Sequence, residues 1–511
     1  MVVSIVGFVW PAMEYRSQAL PPALASAVSF FTRLNEAGVR YGVFKSTRNT
    51  LMGLDGGQDL DILVAREDYH RFCTIASECG SIRSVNHWSL VSPGREDWFV
   101  PDFERARYLH LDVHTSVRLG GKFNKRYPCF TYGNVRQWDI MTFAGGSIPI
   151  VSPQDEVGIL LSRAAFRSSG KVAGSWQRLT RDWAQEISEL LLADGKTGPK
   201  AVRLQSSAPE LCCRIKKQNG DIWVHRGDLA DIRRIVKMRC GASNLSAFVD
   251  PVENGIRHWS YAAARFIARL LPGAIMDRRR PASGGLIVAV VAPDGMGKTT
   301  QVDRMYRLFS WKFCCVKLYL GSGDGEGWWL RRLARTLYIG RRSKIKDIFL
   351  KEPGTERRSS VLASLSGSFL VSLWGVLVAL ERHSRVRAAR RMADRGFLVF
   401  CDRWPQSVQP GFMDGPTEQR KTESSRLLRR WELSLYERMS RIQPDVSVHL
   451  VGDYAVSQRR KPGELSHEGF DKRITLMEEI RIKEPRTHLI DAAGDVDQVL
   501  RSLFGLIWNT L

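Results

Sequence analysis

The feature that most limits what this chain can be is the run LIVAVVAPDGMGKTTQVDRM at residues 286–305. Six apolar residues, Leu286–Val291, predict a buried strand. The loop from Ala292 to Gly297 follows, and Lys298-Thr299-Thr300 opens a helix. Strand, glycine loop and helix in that order make a Walker A phosphate-binding loop, with Ala292 standing where the pattern has its first glycine. The residue types suit the task. Gly295 and Gly297 let backbone N–H groups turn toward phosphate oxygens with no Cβ in the way. The helix start adds the positive end of its dipole. Lys298 can reach the outer phosphates, and the Thr299 hydroxyl can ligate Mg²⁺. Gly295, Met296, Gly297, Lys298, Thr299 and Thr300 are therefore the expected nucleotide-binding residues, with ATP and Mg²⁺ as cofactors.

Composition narrows the partners. Lys+Arg 76 against Asp+Glu 53 leaves a net charge of +23, which favours an anionic partner. Apolar residues are 44% and charged residues 25%, an ordinary globular balance that excludes a fibre or a disordered chain. Nine cysteines without framework spacing fit reduced thiols in a cytoplasm. Residues 1–12 are apolar but lack a basic start, so no signal peptide is expected and the expected location is cytoplasmic. Residues 359–380 carry no charge and are long enough to span a bilayer, yet five serines crowd the first ten. A buried helix is the expectation there, with contact to acidic lipid as the alternative.

At roughly 150 residues per domain, 511 residues hold about three folded units. Residues 1–150 mix helix and strand patterns, and 151–275 read as mainly helical. Residues 276–285, rich in Arg, Pro, Ser and Gly, read as a linker. Residues 286–511 alternate strand and helix, which implies a parallel sheet with helices on both faces.

The run APDGMGKTT, followed about a hundred residues later by FLVFCDRWPQS, resembles the thymidylate kinase family of P-loop nucleoside monophosphate kinases. Asp402-Arg403-Trp404 with Ser407 is similar to that family's DRYxxS motif. The resemblance implies that Asp402 helps hold Mg²⁺ and that Arg403 grips the acceptor phosphate. PDVSVHLVGDYAVSQRRKPGE at 444–464 resembles the strand leading to the family's lid, so Arg459, Arg460 and Lys461 would be lid residues. Because Gly295 follows Asp294, the loop carries no arginine, and the resemblance assigns charge neutralisation to Arg459 and Arg460. It makes Asp294 a contact for the acceptor's sugar. The likeness covers roughly 286–511. The family's REPGGT-like motif is not found after the second strand; a fragment of it, KEPGT, occurs later at 351–355.

In the N-terminal part, Asp59-Leu60-Asp61 lies on a strand pattern, so both carboxylates point to one face. With Asp112 in HLDVHTSV they are expected metal ligands and resemble the acidic set of a nucleotidyltransferase fold, in which two metal ions serve nucleotidyl transfer. His114 is read as structural. Where that family carries Gly-Ser, this chain has Lys45-Ser46.

The expected architecture is thus α/β: a P-loop kinase fold on a parallel sheet at the C-terminus, preceded by an α+β nucleotidyltransferase-like domain and a helical segment. The expected activity is transfer of the γ-phosphoryl of ATP to a nucleoside monophosphate, dTMP first, with Lys298, Arg403, Arg459, Arg460 and Asp294 as catalytic residues. One alternative is a nucleotide-gated binding protein for nucleic acid or anionic membrane; another is a metal-dependent nucleotidyltransferase acting through Asp59, Asp61 and Asp112. The expected partners are nucleotide substrates, nucleic acid or anionic lipid at the basic stretches 331–358 and 381–395, and a second copy in a homodimer.

Overall fold

The computed structural model describes residues 22–86, 91–120, 125–166, 172–180, 183–187, 200–203, 212–218, 221–240, 246–270, 279–321, 361–411, 413–417, 426–463, 465–483 and 486–511. The chain divides into two compact units, Met1–Ala282 and Ser283–Leu511. The whole is mixed α/β.

The first unit carries an eight-stranded mixed sheet. Helix α1 (Ala25–Glu36) buries Ala27, Phe30, Phe31 and Leu34, the i, i+3, i+4, i+7 face of an amphipathic helix, against it. Strands β1 (Tyr41–Val43), β2 (Asp59–Val64), β3 (Ile82–Val85), β4 (Arg95–Asp102) and β5 (Arg107–His114) make the part that matters for function. β2 runs parallel to β5 in a register that sets Asp59 beside His110, Asp61 beside Asp112 and Leu63 beside His114. Four more strands follow: β6 (Val117–Leu119), β7 (Tyr127–Phe130), β8 (Trp138–Phe143) and β9 (Gly146–Val151).

Residues 151–275 differ from the expected helical segment. They do contain α2 (Pro153–Phe166), α3 (Arg226–Arg239) and α4 (Ser246–Leu270), but also a five-stranded sheet of β10 (Val172–Ala173), β11 (Trp176–Arg178), β12 (Lys200–Arg203), β13 (Cys212–Gln218) and β14 (Asp221–His225). In β13, CCRIKKQ, Cys213 and Ile215 are buried while Arg214 is exposed. That is a period-2 pattern which clustered charge hides from a composition scan. Within 276–285, Arg280–Pro281 forms β15 on the edge of the large sheet, against β3.

The second unit is a parallel sheet in the order β17-β18-β16-β19-β20, formed by β16 (Leu286–Val291), β17 (Cys315–Tyr319), β18 (Leu398–Asp402), β19 (Val446–Val451) and β20 (Thr487–Asp491). All six residues of β16 are buried, as a strand covered on both faces requires. Helix α5 (Lys298–Ser310) packs beside α6 (Val496–Thr510), where Phe309 stacks on Phe504 and Trp508. Helix α7 (Val361–Asp394) takes up most of the uncharged stretch and runs straight into the arginine-rich one. Val376, Ala379, Val386 and Ala389 on it are buried. Among the described residues no helix is long and apolar enough to cross a membrane.

Several arginines of 381–395 tie α7 to its own unit. Arg382 is buried, donates to the Leu320 carbonyl at 2.8 Å and pairs with Asp414 at 2.6 Å. Arg385 donates to the Tyr319 carbonyl at 2.6 Å, and Arg390 pairs with Asp445 at 3.0 Å. Their charge is largely met inside the fold. The stretch 331–358, with its KEPGT fragment, lies outside the described residues.

Candidate functional site

The loop after β16 turns back sharply at two glycines. Gly295 and Gly297 have φ of 85° and 84°, a region that costs an L-residue dearly. A Cβ on Gly295 would also stand 2.8 Å from the Ser457 carbonyl oxygen. Lys298, buried at the start of α5, curls back over the loop. Its ammonium donates to the carbonyls of Ala292 at 2.8 Å and Pro293 at 2.9 Å, and stands 3.3 Å from Asp294 Oδ1. Burial, with Arg403 adding to it, lowers the Lys298 pKa. Its partners are thus two neutral carbonyls and one carboxylate of its own loop.

The neighbouring strand supplies the rest. β16 and β18 are parallel with Val290 opposite Asp402, so Asp402 and Arg403 leave the sheet beside the loop. The Thr299 hydroxyl donates to Asp402 Oδ2 at 2.7 Å. The other oxygen, Oδ1, is buried and has no hydrogen-bond partner. A buried carboxylate oxygen left without a donor is costly, and a cation is the natural occupant of the space before it. Thr299 and Asp402 therefore fit Mg²⁺.

Arg403 has φ 75°, a left-handed conformation fixed by its N–H donating to the Val290 carbonyl at 3.0 Å. Its guanidinium bridges Asp294 at 2.8 Å and Asp414 at 3.4 Å. Burial works against the charge, but Asp414 and Asp294 hold the Arg403 pKa above its ordinary value. In Asp294 burial is likewise overcome, by Lys298 and Arg403, and the carboxyl is held below its usual range. Asp414 is a residue that sequence reading missed. It pairs with buried Arg382 on one side and Arg403 on the other, in a turn where Met413 and Asp414 both have positive φ.

A cavity of about 820 Å³ opens over these groups. Gly295, Met296, Gly297, Lys298, Thr299 and Thr300 line one side, and Asp294, Tyr319 and Arg403 another. Arg460 and Lys461 reach it from the end of helix α8 (Tyr454–Arg460). The Ser457 hydroxyl ties that helix to the loop by donating to the Asp294 carbonyl at 2.8 Å. Arg459 lies on the same helix, exposed, and does not line the cavity.

The carboxylates of the first unit form a different centre. Asp61, Asp112 and His114 offer atoms within 4.8 Å of one another. Asp59 stands apart and pairs with His110 Nδ1 at 2.8 Å, while His110 Nε2 meets Asp97 at 2.8 Å. His114, read as structural, is thus nearer to Asp61 and Asp112 than Asp59 is. Cations already face these acids. Lys45 Nζ is 2.5 Å from Asp61, and Arg95 Nε is 2.7 Å from Asp112. Burial pushes Asp61 up against the pull of Lys45; burial also opposes the charge of Asp112, but His114 and Arg95 hold it well below the carboxylate range. At Lys45-Ser46, the N–H groups of Ser46 and Thr47 donate to Glu186 at 2.9 Å and Glu156 at 3.1 Å. Burial, opposed by Thr47 and aided by Glu186, pushes Glu156 up to about 8.

No family model matches the chain. It is 28% identical over 225 residues to the uncharacterized ATP-binding protein YghR of Escherichia coli K12, covering 42% of this chain and 83% of that one. It is 25% identical over 224 residues to the uncharacterized ATP-binding protein YghS of the same organism, covering 42% and 90%. Similar solved structures include thymidylate kinase from Candida albicans, with 14% identity, a TM-score of 0.27 and coverage of 44% of this chain and 92% of that one. Thymidylate kinase from Ehrlichia chaffeensis has 16% identity, a TM-score of 0.24 and coverage of 44% and 98%.

Proposed function

We propose that the second unit is an ATP-dependent phosphotransferase whose acceptor is a nucleoside monophosphate, with dTMP to dTDP as the first reaction to test. The observation that carries this reading is the meeting of Thr299 with Asp402 at 2.7 Å, with the second Asp402 oxygen buried and unpartnered. It joins the phosphate loop to a carboxylate on the neighbouring strand, as a metal–triphosphate substrate requires. Relatives described as ATP-binding support the donor.

Each side chain then has a task. Loop N–H groups and the α5 start receive the β- and γ-phosphates, and Lys298 exchanges its carbonyl partners for phosphate oxygens. Thr299 and Asp402 would hold Mg²⁺, which when bound neutralises charge on the outer phosphates. Arg403 positions the acceptor phosphate, freed from Asp294 as that carboxylate turns to the acceptor's sugar. Arg460, on the cavity wall, offsets charge developing on the transferred group. Catalysis is mostly positioning and charge neutralisation, because phosphoryl transfer asks little covalent help of the protein.

The test is a screen of nucleoside monophosphates with purified protein, ATP and Mg²⁺. Acceptor-stimulated ATP consumption, absent in Lys298→Ala, is the expected result. If no monophosphate raises consumption above the ATP-only rate, the acceptor class is wrong.

A further inference from the structure

The first unit holds a second, smaller cavity, and its lining is of one sign. Lys45, His114, Arg118, Lys125 and Arg163 surround it with Phe44, and among the described residues no acidic side chain lines it. Its volume is about 30 Å³, the room of two or three water-sized probes, so it admits one small polar group rather than a base or a sugar.

The carboxylates behind this cavity do not fit a divalent cation. Asp61 Oδ1 faces Lys45 Nζ at 2.5 Å, and Asp112 Oδ1 faces both Arg95 Nε at 2.7 Å and His114 Nε2 at 2.9 Å. All three atoms that would ligate a metal thus stand at ion-pair distance from a cation or from one another, although among the described residues Asp61 Oδ1 and His114 Nε2 make no hydrogen bond. A metal ion would have to displace two half-buried positive side chains, or sit beside them at like charge. Two guanidiniums, meanwhile, lack part of their acceptor set. Among the described residues Arg163 has no hydrogen-bonding or carboxylate partner at contact distance, only the Trp183 ring at 5.9 Å. Arg118 donates through Nη1 to the Arg126 carbonyl at 3.1 Å, but its Nε is buried and unpartnered. A buried donor without an acceptor, as Arg118 Nε is, is costly unless a ligand completes it, and the Arg163 guanidinium beside it is open to the same ligand.

We propose that this cavity is a metal-independent anion site that takes a single phosphoryl-type oxyanion, held by Lys45, Arg118 and Arg163. Lys125 adds charge to the lining, and His114 adds a polar edge. The anion supplies the acceptors that Arg163 and Arg118 Nε lack. The shared chemistry is a tetrahedral phosphate, whether free or at the end of a nucleotide.

The test uses the full chain carrying Lys298→Ala, which weakens phosphate binding at the loop of the second unit. Binding of inorganic phosphate in EDTA is followed by calorimetry. Saturable binding is expected, weakened about tenfold or more by a further Arg163→Gln, with unchanged circular dichroism. Should Arg163→Gln fail to fold, the half-exposed Arg118→Gln decides in its place, with the same expected loss. ATP in EDTA forms a second arm: tighter binding than phosphate assigns a nucleotide's terminal phosphate, and equal binding assigns the free anion. The proposal is overturned if phosphate does not bind, if neither arginine variant weakens it, or if binding appears only when Mn²⁺ is added.

Discussion

Both units set carboxylates on neighbouring parallel strands with cations close by, yet the groups that face those carboxylates differ. In the second unit, Asp402 shares one oxygen with Thr299 and keeps the other unpartnered, while Lys298 leans on neutral carbonyls. In the first unit, Lys45 and Arg95 already face Asp61 and Asp112, and the surplus cations line the cavity. The difference shows that a carboxylate cluster says little about metal until the groups facing it are known. What decides is whether cations of the fold already stand at ion-pair distance from the carboxylate oxygens, as Lys45 and Arg95 do in the first unit.

The largest effect that can break this contrast belongs to Asp402. Asp402→Asn keeps the shape but removes the charge, and phosphoryl transfer at saturating ATP is expected to fall about 10²-fold, with a higher Mg²⁺ requirement. A Mg²⁺ titration of the rate checks it; an unchanged midpoint would detach Asp402 from the metal. In the first unit, Asp61→Asn is expected to leave that rate within about twofold, which sharpens the comparison.

A smaller effect is expected at Asp414, which acts on the acceptor through Arg403. Asp414→Asn should raise the acceptor KM about tenfold and leave the ATP KM unchanged, since one charged contact is worth roughly 1.5–3 kcal/mol. Asp414→Glu should restore part of the loss, whereas equal damage to both KM values would mean general loosening of the turn. Arg460→Ala should likewise slow transfer more than Arg459→Ala, because Arg460 alone of the two lines the cavity.

The smallest effect is one of stability and pH. Glu156 has its pKa raised from 4.5 to about 8 by burial, so the fold favours its protonated form. Its stabilising contribution is complete below about pH 4.5 and drains away as pH rises toward about 8, by at most about 1.4 kcal/mol per pH unit. Glu156→Gln is locked in the neutral form and should gain on the wild type across that window. Parallel melting-temperature profiles for the two proteins would show that Glu156 is already ionised in the fold.

The residues legible in the sequence were those whose role is set by local order. Strand, glycine loop and helix at 286–305 follow from burial and backbone sterics within twenty residues, and Asp402-Arg403 stands at the end of a strand whose five residues, Asp402 included, are buried. Asp414 was not legible, because its partners Arg382 and Arg403 reach it from separate elements. The same holds for the first unit. Asp61 and Asp112 could be paired from their strand patterns, but nothing near them in the chain shows that Lys45 and Arg95 stand against them, or that Arg163 lines the cavity in front. The antiparallel sheet of 172–225 was missed for a related reason: short strands such as Asp221–His225 gain their stability from partners across the sheet rather than from their own pattern.

The most direct measurement follows the labelled γ-phosphoryl of ATP in the presence of Mg²⁺ and dTMP. The label should pass to dTDP, and Lys298→Ala should slow that passage about 10²–10³-fold. Label that reaches only water, or passes to dTDP as fast in Lys298→Ala as in the wild type, would contradict a phosphotransferase built on this loop.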